Sequence, residues 1–174
     1  MDPTVDDQAS SRADCTFEDF YRNEYRMVLV LAGALCRDRH AAEDVTQDAF
    51  IALHKNWEQV RHYQDPRAWI RRVVANRSVS RWRRLRSEAR SVVRLGRPIE
   101  TFAVDPETDD VWSAVRALPR RQAQVIALIY VDDLSVRDVA RVLEIDEATV
   151  KTHLQRARKA LAAALAAVDQ DDPE

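Results

Sequence analysis

The sequence predicts an all-α protein built from two small helical domains, and three observations lead to this fold class. The chain of 174 residues contains only two glycines, fewer than a sheet-rich fold or a glycine-rich phosphate loop would use. Alanine and arginine, which are good helix formers, are its most frequent residues. Apolar residues recur at intervals of three and four, as on the buried face of a helix.

The first domain is predicted over residues 16–89, and a polar, acidic tail over 1–15 that we expect to be disordered precedes it. Thr16 is placed to cap a helix, because Asp19 follows it by three residues. Aromatic and aliphatic residues then repeat at helical spacing as far as Leu35. This repeat predicts the first helix of the domain, with one face buried.

Two further helices complete the predicted first domain. Val45 and Leu53 belong to an apolar stripe that predicts a helix over about 41–57, and residues 58–64 are expected to form a loop. Pro66 suits the first position of the next helix, because this position leaves its N–H unpaired and proline has none. The three helices together would enclose one small core.

The second domain is predicted over residues 108–168, with the acidic residues 169–174 as a short tail. Residues 90–107 lose the helical period and contain a glycine and two prolines, so we expect a flexible linker there. Pro119 separates a helix over about 111–118 from the next one. The linker therefore divides the chain into two helical blocks.

The stretch 134–161 has the pattern of a helix-turn-helix, a unit that places its second helix in the major groove of DNA. Ser135 and Asp138 can cap the first helix, and Asp146 can cap the second. Outward-facing side chains on the second helix can donate to phosphates and base edges; they are Lys151, Thr152, Gln155, Arg156, Arg158 and Lys159. A helical hairpin with a solvated charged face is the alternative for this segment alone.

The net charge of −2 hides an uneven distribution of charge. Residues 1–60 contain 12 acidic and 6 basic side chains, whereas 66–97 contain 11 arginines and Glu88 as the single acid. A basic block of this kind is suited to binding a polyanion. The acidic residues 1–60 would repel a polyanion and require a different partner. The arginines therefore indicate phosphate contact, with a solvated face as the alternative.

The third predicted helix combines arginines with Trp69, Asn76 and Trp82. Arginine supplies salt-dependent affinity for a nucleic-acid backbone, while aromatic and amide side chains suit unstacked bases. The combination favours melted or single-stranded nucleic acid over an intact duplex. For Trp69, burial in the core is the favoured interpretation.

Several classes of function lack support in the sequence. No apolar run approaches the roughly 20 residues of a membrane span, and no signal-peptide core is recognisable, so we expect a cytoplasmic protein without membrane insertion. Cys15, Cys36 and the four histidines lack the spacing of metal ligands, and both cysteines are expected to be free thiols. Without a nucleophile–base set or a phosphate loop, we expect no enzyme, no metal site and no cofactor.

Three stretches stand in an order that is typical of one protein family. They are residues 42–50 (AEDVTQDAF), residues 65–77 (DPRAWIRRVVANR) and residues 117–161. In this order they resemble regions 2.2, 2.3–2.4 and 4 of the extracytoplasmic-function sigma factors, small initiation factors of the sigma-70 family. The resemblance covers about residues 17–165. It implies a factor that binds core RNA polymerase and directs it to promoters.

The resemblance implies a role for each matching residue. Asp44, Gln47 and Asp48 would contact the clamp helices of the polymerase β′ subunit, and the β flap is a further expected contact. The melted −10 element, with one flipped base, would be bound by Arg61, Trp69, Arg72, Asn76, Arg77, Arg83 and Arg84. The −35 element would be bound in the major groove by Arg120, Lys151, Thr152, Gln155, Arg156 and Arg158.

Three positions depart from the family pattern. Glu144 and Ala148 stand where glycine is common in the helix-turn-helix. Val60 stands where an aromatic residue is often found near the −10 pocket. Because glycine adopts a left-handed turn without strain and other residues do not, Glu144 predicts a strained turn.

Core RNA polymerase and promoter DNA are therefore the expected partners, and a separate anti-sigma factor is a further candidate. The expected location is the cytoplasm, with nucleoid association through polymerase. Two alternatives stay open. A stand-alone helix-turn-helix regulator would bind duplex DNA without polymerase and would leave Asp44, Gln47 and Asp48 without a role. A helical interaction protein would leave the arginines of 66–97 unexplained.

Overall fold

A computed structural model describes residues 15–36, 38–89 and 109–168 of the chain. Eight helices lie within these residues, which confirms the predicted all-α fold class. They are α1 (Phe17–Leu35), α2 (Arg39–Lys55), α3 (Trp57–Val60), α4 (Pro66–Ala89), α5 (Asp109–Ala117), α6 (Arg120–Tyr130), α7 (Val136–Leu143) and α8 (Glu147–Val168). None of the helices in the described ranges is long and apolar enough to cross a membrane.

Some of the predictions fall on residues outside the described ranges. They are the linker over 90–107, the acidic tail over 169–174 and nearly all of the disordered tail over 1–15. The backbone of α4 is described throughout, but side-chain placement in this helix ends at Ser78. The side chains of Trp82, Arg83 and Arg84 therefore also lie outside the description.

Side-chain caps begin four of the described helices, and the cap of α2 is Asp38, whose carboxylate accepts a hydrogen bond from the Ala41 amide (2.7 Å). The Thr16 hydroxyl accepts a hydrogen bond from the Asp19 amide (3.2 Å) before α1. The Ser135 hydroxyl does the same for the Asp138 amide (3.2 Å) before α7. The Asp65 carboxylate caps α4 through an amide 3.1 Å away. Each bond satisfies an N–H that a helix start leaves unpaired, so the predicted caps of α1 and α7 are confirmed.

The structure differs from the prediction between α2 and α4. Helix α2 ends at Lys55 rather than at Trp57, and residues 57–60, most of which were expected in a loop, form the single turn α3. Trp57 and Val60 are both buried. A helical turn places these two side chains on one face, towards the core, whereas an extended loop would turn one of them to water.

Helices α1, α2 and α4 pack together as a first helical group. Leu31, Leu53 and Ile70 fill its centre and have no exposed surface. Aromatic rings close one end of the group, where the Phe20 ring centroid lies 5.4 Å from that of Trp57. Burial of these large side chains is the main driving force for folding of the group.

Helices α5 to α8 form a second group around Val125, Leu128, Val139 and Val150, none of which has exposed surface. The two groups also pack against each other, because α1 contacts α5 and α6 while α4 contacts α7. The buried apolar residues of both groups form one continuous cluster. The sequence pattern did not predict this direct packing of one group on the other.

Replacing Leu53 by alanine is expected to lower the free energy of unfolding by about 2–5 kcal/mol, because the fully buried side chain leaves a cavity. The matched control is Ile51→Ala on the same helix, where a side chain 54% exposed should cost about 0.5 kcal/mol or less. Urea unfolding followed by circular dichroism measures both losses. Equal losses in the two variants would contradict this core.

Candidate nucleic-acid interface

The outer face of α8 carries the polar and basic residues that the sequence analysis assigned to DNA. All six are exposed: Lys151, Thr152, Gln155, Arg156, Arg158 and Lys159. On the opposite face, Val150 and Ala157 have no exposed surface, because α8 packs on α5, α6 and α7 there. Helix α8 therefore presents an outward surface of cationic and hydrogen-bonding side chains, as a recognition helix does.

The turn between α7 and α8 has the strained conformation that the sequence predicted. Glu144 directly follows α7 and adopts the left-handed region, with φ of 54° and ψ of 50°. Within the described residues, Asp133 is the other position at which a non-glycine residue has a positive φ, of 52°. A left-handed conformation costs a residue with a Cβ atom about 1–2 kcal/mol.

Two further contacts shape the α8 surface. The Arg158 Nε donates to the Tyr130 hydroxyl (3.0 Å), and the guanidinium lies 5.9 Å from the centre of that ring. Burial lowers the pKa of His153 below its ordinary value, and the charges of Arg156 and Arg121 lower this pKa further. The lowered pKa favours the neutral form of His153, and the contacts with Tyr130 hold Arg158 at the edge of the basic surface.

Helix α4 carries Arg72 towards the second helical group. Its Nε donates to the carbonyl of Val142 (2.9 Å), and its Nη2 donates to the carbonyl of Arg141 (3.2 Å). Its Nη1 forms an ion pair with the Glu144 carboxylate. All three guanidinium nitrogens of Arg72, a predicted −10 residue, therefore contact the C-terminal end of α7 or the turn that follows it.

Asn76 also faces the second helical group. Its side-chain carbonyl accepts a hydrogen bond from Arg120 Nη2 (2.7 Å), so a predicted −10 residue and a predicted −35 residue meet. Ala75 precedes Asn76, and its carbonyl accepts a hydrogen bond from the buried side-chain amide of Gln124 (2.8 Å). Arg120 thus lies at the junction of the two groups, apart from the exposed face of α8.

The remaining described −10 residues lie on α4 and, in the case of Arg61, directly after α3. Trp69 is half-buried and packs against the core, in agreement with the favoured interpretation of its burial. Arg61 is half-buried beside Val60, and Val60 is buried, so this valine is not exposed for stacking on a base. Arg77 is exposed, and its Nη1 lies 3.1 Å from the carboxylate of Asp48.

Asp44, Gln47 and Asp48 share one exposed face of α2. Their spacing of three and four residues brings them to the same side of the helix. The ion pair between Asp48 and Arg77 connects this acidic face to α4. The sequence-predicted polymerase residues therefore form a contiguous acidic surface, which a basic partner would fit.

Comparison with known proteins identifies the family. The family models described as "Sigma-70 region 2" and "Sigma-70, region 4" match residues 20–88 and 108–161. The ECF RNA polymerase sigma factor SigM of Mycobacterium tuberculosis is 29% identical over 84% of this chain and 75% of its own length. SigW of Bacillus subtilis, also an ECF RNA polymerase sigma factor, is 26% identical over 82% of this chain and 83% of its own. The chain belongs to the extracytoplasmic-function sigma factors.

A solved sigma-factor structure has the same fold. RpoE from Bartonella quintana, in complex with the anti-sigma factor NepR, aligns with a TM-score of 0.68 and 22% identity, over 86% of this chain and 96% of that one. Helices α1 to α4 are hereafter the region 2 helices, and α5 to α8 are the region 4 helices. Membership of the family makes the chain a transcription initiation factor that directs RNA polymerase to promoters, and not an enzyme.

A buried charge cluster between the region 2 and region 4 helices was not predicted from the sequence. Arg71 Nε lies 3.0 Å from the carboxylate of Asp132, whose side chain is 2% exposed. The carboxylate of Glu24 lies 3.8 Å from Arg71 and 2.8 Å from Arg67. Burial raises the pKa of Asp132, and Arg71 offsets only part of this effect.

One signal of this cluster was present in the sequence. Glu24 stands between Phe20 and Val28 on the inward stripe of α1, where a charge needs a buried partner. The partner itself was not predictable, because Arg71 is one of 11 arginines between residues 66 and 97.

The region 4 helices are expected to lose stability as the pH falls below about 6.5, the ordinary pKa of histidine. The fold binds a proton at His153 less readily than the unfolded chain does, because the pKa of this residue is lowered. The contribution of His153 is therefore complete above the ordinary pKa and is lost as the pH falls through the lowered one. His153→Gln should flatten this part of the dependence of melting temperature on pH.

The matched control for His153 is His40→Gln, which changes an exposed histidine of α2. This variant should follow the wild-type curve of melting temperature against pH, measured by differential scanning fluorimetry. If His153→Gln also follows the wild-type curve, the assigned burial of His153 is contradicted.

Proposed function

We propose that this sigma factor engages its partners through three separate surfaces. The acidic face of α2 binds polymerase, the arginine side of α4 binds the melted −10 element, and the outer face of α8 binds the −35 element. The proposed domains are region 2 over 16–89 and region 4 over 108–168, joined by a linker over 90–107. The observation that carries the proposal is that the α2 face is acidic and exposed while the α8 face is basic and exposed.

The proposed polymerase contacts are Asp44, Gln47 and Asp48, against the clamp helices of the β′ subunit. Two carboxylates and an amide on one exposed face attract a basic partner and repel DNA. Ile51 extends the same face by one helical turn, and its exposed side chain adds an apolar contact. The β flap is the proposed contact of region 4.

The proposed −35 contacts lie on α8. Lys151, Thr152, Gln155 and Arg156 face outward and supply the donors that read base edges in the major groove. Arg158 lies at the margin of this surface, where its bonds to Tyr130 direct it to a phosphate. Arg120 is proposed to contact a phosphate once it is released from Asn76.

The proposed −10 contacts lie along α4 and the residues before it. Extracting a base from the stack costs a few kcal/mol, which the protein must offset by stacking and hydrogen bonds. Stacking of a base on an aromatic side chain contributes about 1–3 kcal/mol, which suits Trp69. The proposed set is Arg61, Trp69, Arg72, Asn76, Arg77, Arg83 and Arg84.

Division of the contacts between two small domains suits a factor that must not bind promoters alone. The acidic first part of the chain repels phosphate, so neither domain alone should bind promoter DNA tightly. Polymerase holds both domains and raises the effective concentration of each for its own element. The proposed place of action is the cytoplasm, and a separate anti-sigma factor is a proposed inhibitor.

The triple variant Asp44→Ala, Gln47→Ala, Asp48→Ala is expected to reduce promoter-dependent initiation about tenfold or more, equivalent to about 1.4 kcal/mol of binding. The assay is run-off transcription with purified core polymerase on a library of random promoters. Transcripts made with the wild type are expected to start downstream of one shared pair of −35 and −10 sequences.

The matched control is the triple variant Glu18→Ala, Glu58→Ala, Gln59→Ala. It also removes two carboxylates and one amide from exposed positions, but none of them lies on α2. This control should initiate as the wild type does. Tight duplex binding by the protein alone, without initiation in the presence of polymerase, would reject the proposed function and favour a stand-alone regulator.

A further inference from the structure

Tyr130 is an exposed aromatic residue at the last position of α6. It is 56% exposed, so it contributes little to the core. Two contacts join it to α8. Its hydroxyl accepts a hydrogen bond from Arg158 Nε (3.0 Å), and the Arg158 guanidinium lies 5.9 Å from the centre of the ring. Both polar and ring contacts of Tyr130 are therefore made with one arginine of the basic α8 surface.

Arg158 is oriented by this contact without being neutralised. Arg72 and Arg77 each form an ion pair with a carboxylate, which offsets their charge. Within the described ranges, the hydrogen-bond partner of Arg158 is instead a phenol, which is uncharged at neutral pH. Arg158 therefore keeps its positive charge while its side chain is held in one place. An anion that binds to it meets a cation whose conformational freedom is already reduced, which favours binding.

The hydrogen bond leaves donors on both side chains for a further partner. A phenol oxygen can accept one hydrogen bond and donate its own proton to another acceptor. Because the oxygen of Tyr130 accepts from Arg158, its O–H is left to donate. A guanidinium has five N–H donors, and this bond uses one of them. Neighbouring O–H and N–H donors of this kind suit two oxygens of the same phosphate.

The position of the pair fits the backbone of DNA rather than its base edges. A recognition helix in the major groove has base edges in front of it and the phosphates of the two strands on either side. Arg158 lies three residues after Gln155, and its bond to Tyr130 directs it to the side of α8 that packs on α6. The pair therefore lies at the flank of the outer face, where a phosphate would pass.

We propose that Tyr130 and Arg158 form one binding site for a DNA phosphate beside the −35 element. Tyr130 orients the guanidinium and donates its O–H to the same phosphate. The site adds the C-terminal end of α6 to the DNA-binding surface. The proposal rests on the proposed role of α8 at the −35 element.

The test measures binding of the full chain to a fluorescently labelled DNA duplex of random sequence, by fluorescence anisotropy. Phosphates are the same in every sequence, so the probe needs no promoter. Titrations at increasing salt, from about 50 mM upwards, give the affinity and the slope of log affinity against log salt concentration. The magnitude of this slope falls by about 0.9 for each lost phosphate contact, whereas loss of a packing contact leaves it unchanged.

Arg158→Gln is expected to lower the magnitude of the salt slope by about 0.9, because one phosphate contact is lost. The matched control is Arg22→Gln, which removes the same charge from an exposed position on α1. This control should retain the wild-type slope.

Tyr130→Phe keeps the ring and removes only the hydroxyl, so it is expected to weaken binding about three- to tenfold, as for the loss of one hydrogen bond. The matched control is Tyr21→Phe, which makes the same change at an exposed tyrosine of α1 and should bind as the wild type does. In an Arg158→Gln background, Tyr130→Phe should have a smaller effect, because both side chains act on one phosphate.

The outcomes separate this site from the proposed role of α8, for which Lys151→Gln is the reference. If Lys151→Gln weakens binding while Arg158→Gln or Tyr130→Phe behaves like its control, the phosphate site is overturned and α8 still binds DNA. If Lys151→Gln and Arg158→Gln both behave like Arg22→Gln, or the wild type does not bind the duplex at the lowest salt, the −35 assignment of α8 fails as well. A lower melting temperature of Tyr130→Phe with unchanged affinity would identify the pair as a packing contact and overturn the site.

Discussion

The buried guanidinium of Arg71 is the interaction on which the arrangement of this sigma factor depends. It lies between Glu24 of region 2 and Asp132 of region 4, where water is nearly absent. Removal of one partner from such a pair costs about 3–5 kcal/mol, although the net contribution of the pair is small because desolvation opposes it. The raised pKa of Asp132 has the same origin, since burial outweighs the attraction of Arg71. A contact of this kind favours one relative position of the two domains.

The acidic and basic surfaces of the molecule lie apart from each other. The acidic face of α2 and the basic face of α8 lie on different domains and stay exposed, whereas Arg72 of α4 is turned onto the end of α7. Exposed ion pairs such as Asp48–Arg77 contribute about 0–1 kcal/mol and can be exchanged for a partner at low cost. The contacts of Arg72 therefore leave the α2 and α8 faces as the exposed charged surfaces among these three.

Local features were the most predictable part of the structure. The helices that begin after Thr16 and after Ser135 were predictable from capping and apolar spacing, because both signals act within a few residues. The six outward residues of α8 follow from the same spacing. The loop expected over 58–64 was wrong at its start, because burial of Trp57 and Val60 favours a helical turn there. Local helix propensity alone could not predict this turn, because the burial of Trp57 and Val60 depends on tertiary contacts.

By itself, the sequence determined the all-α class, the positions of most helices, the helix-turn-helix and the family, because periodicity, caps and motif order are carried by neighbouring residues. It also determined the left-handed strain at Glu144. Only the tertiary structure decided that Arg72 caps α7, that Arg120 meets Asn76 and that Arg71 joins Glu24 to Asp132. These partners are separated by 44 or more positions in the chain. Their pairing depends on how the helices pack. The residues next to each of the 11 arginines do not indicate which partner it will contact.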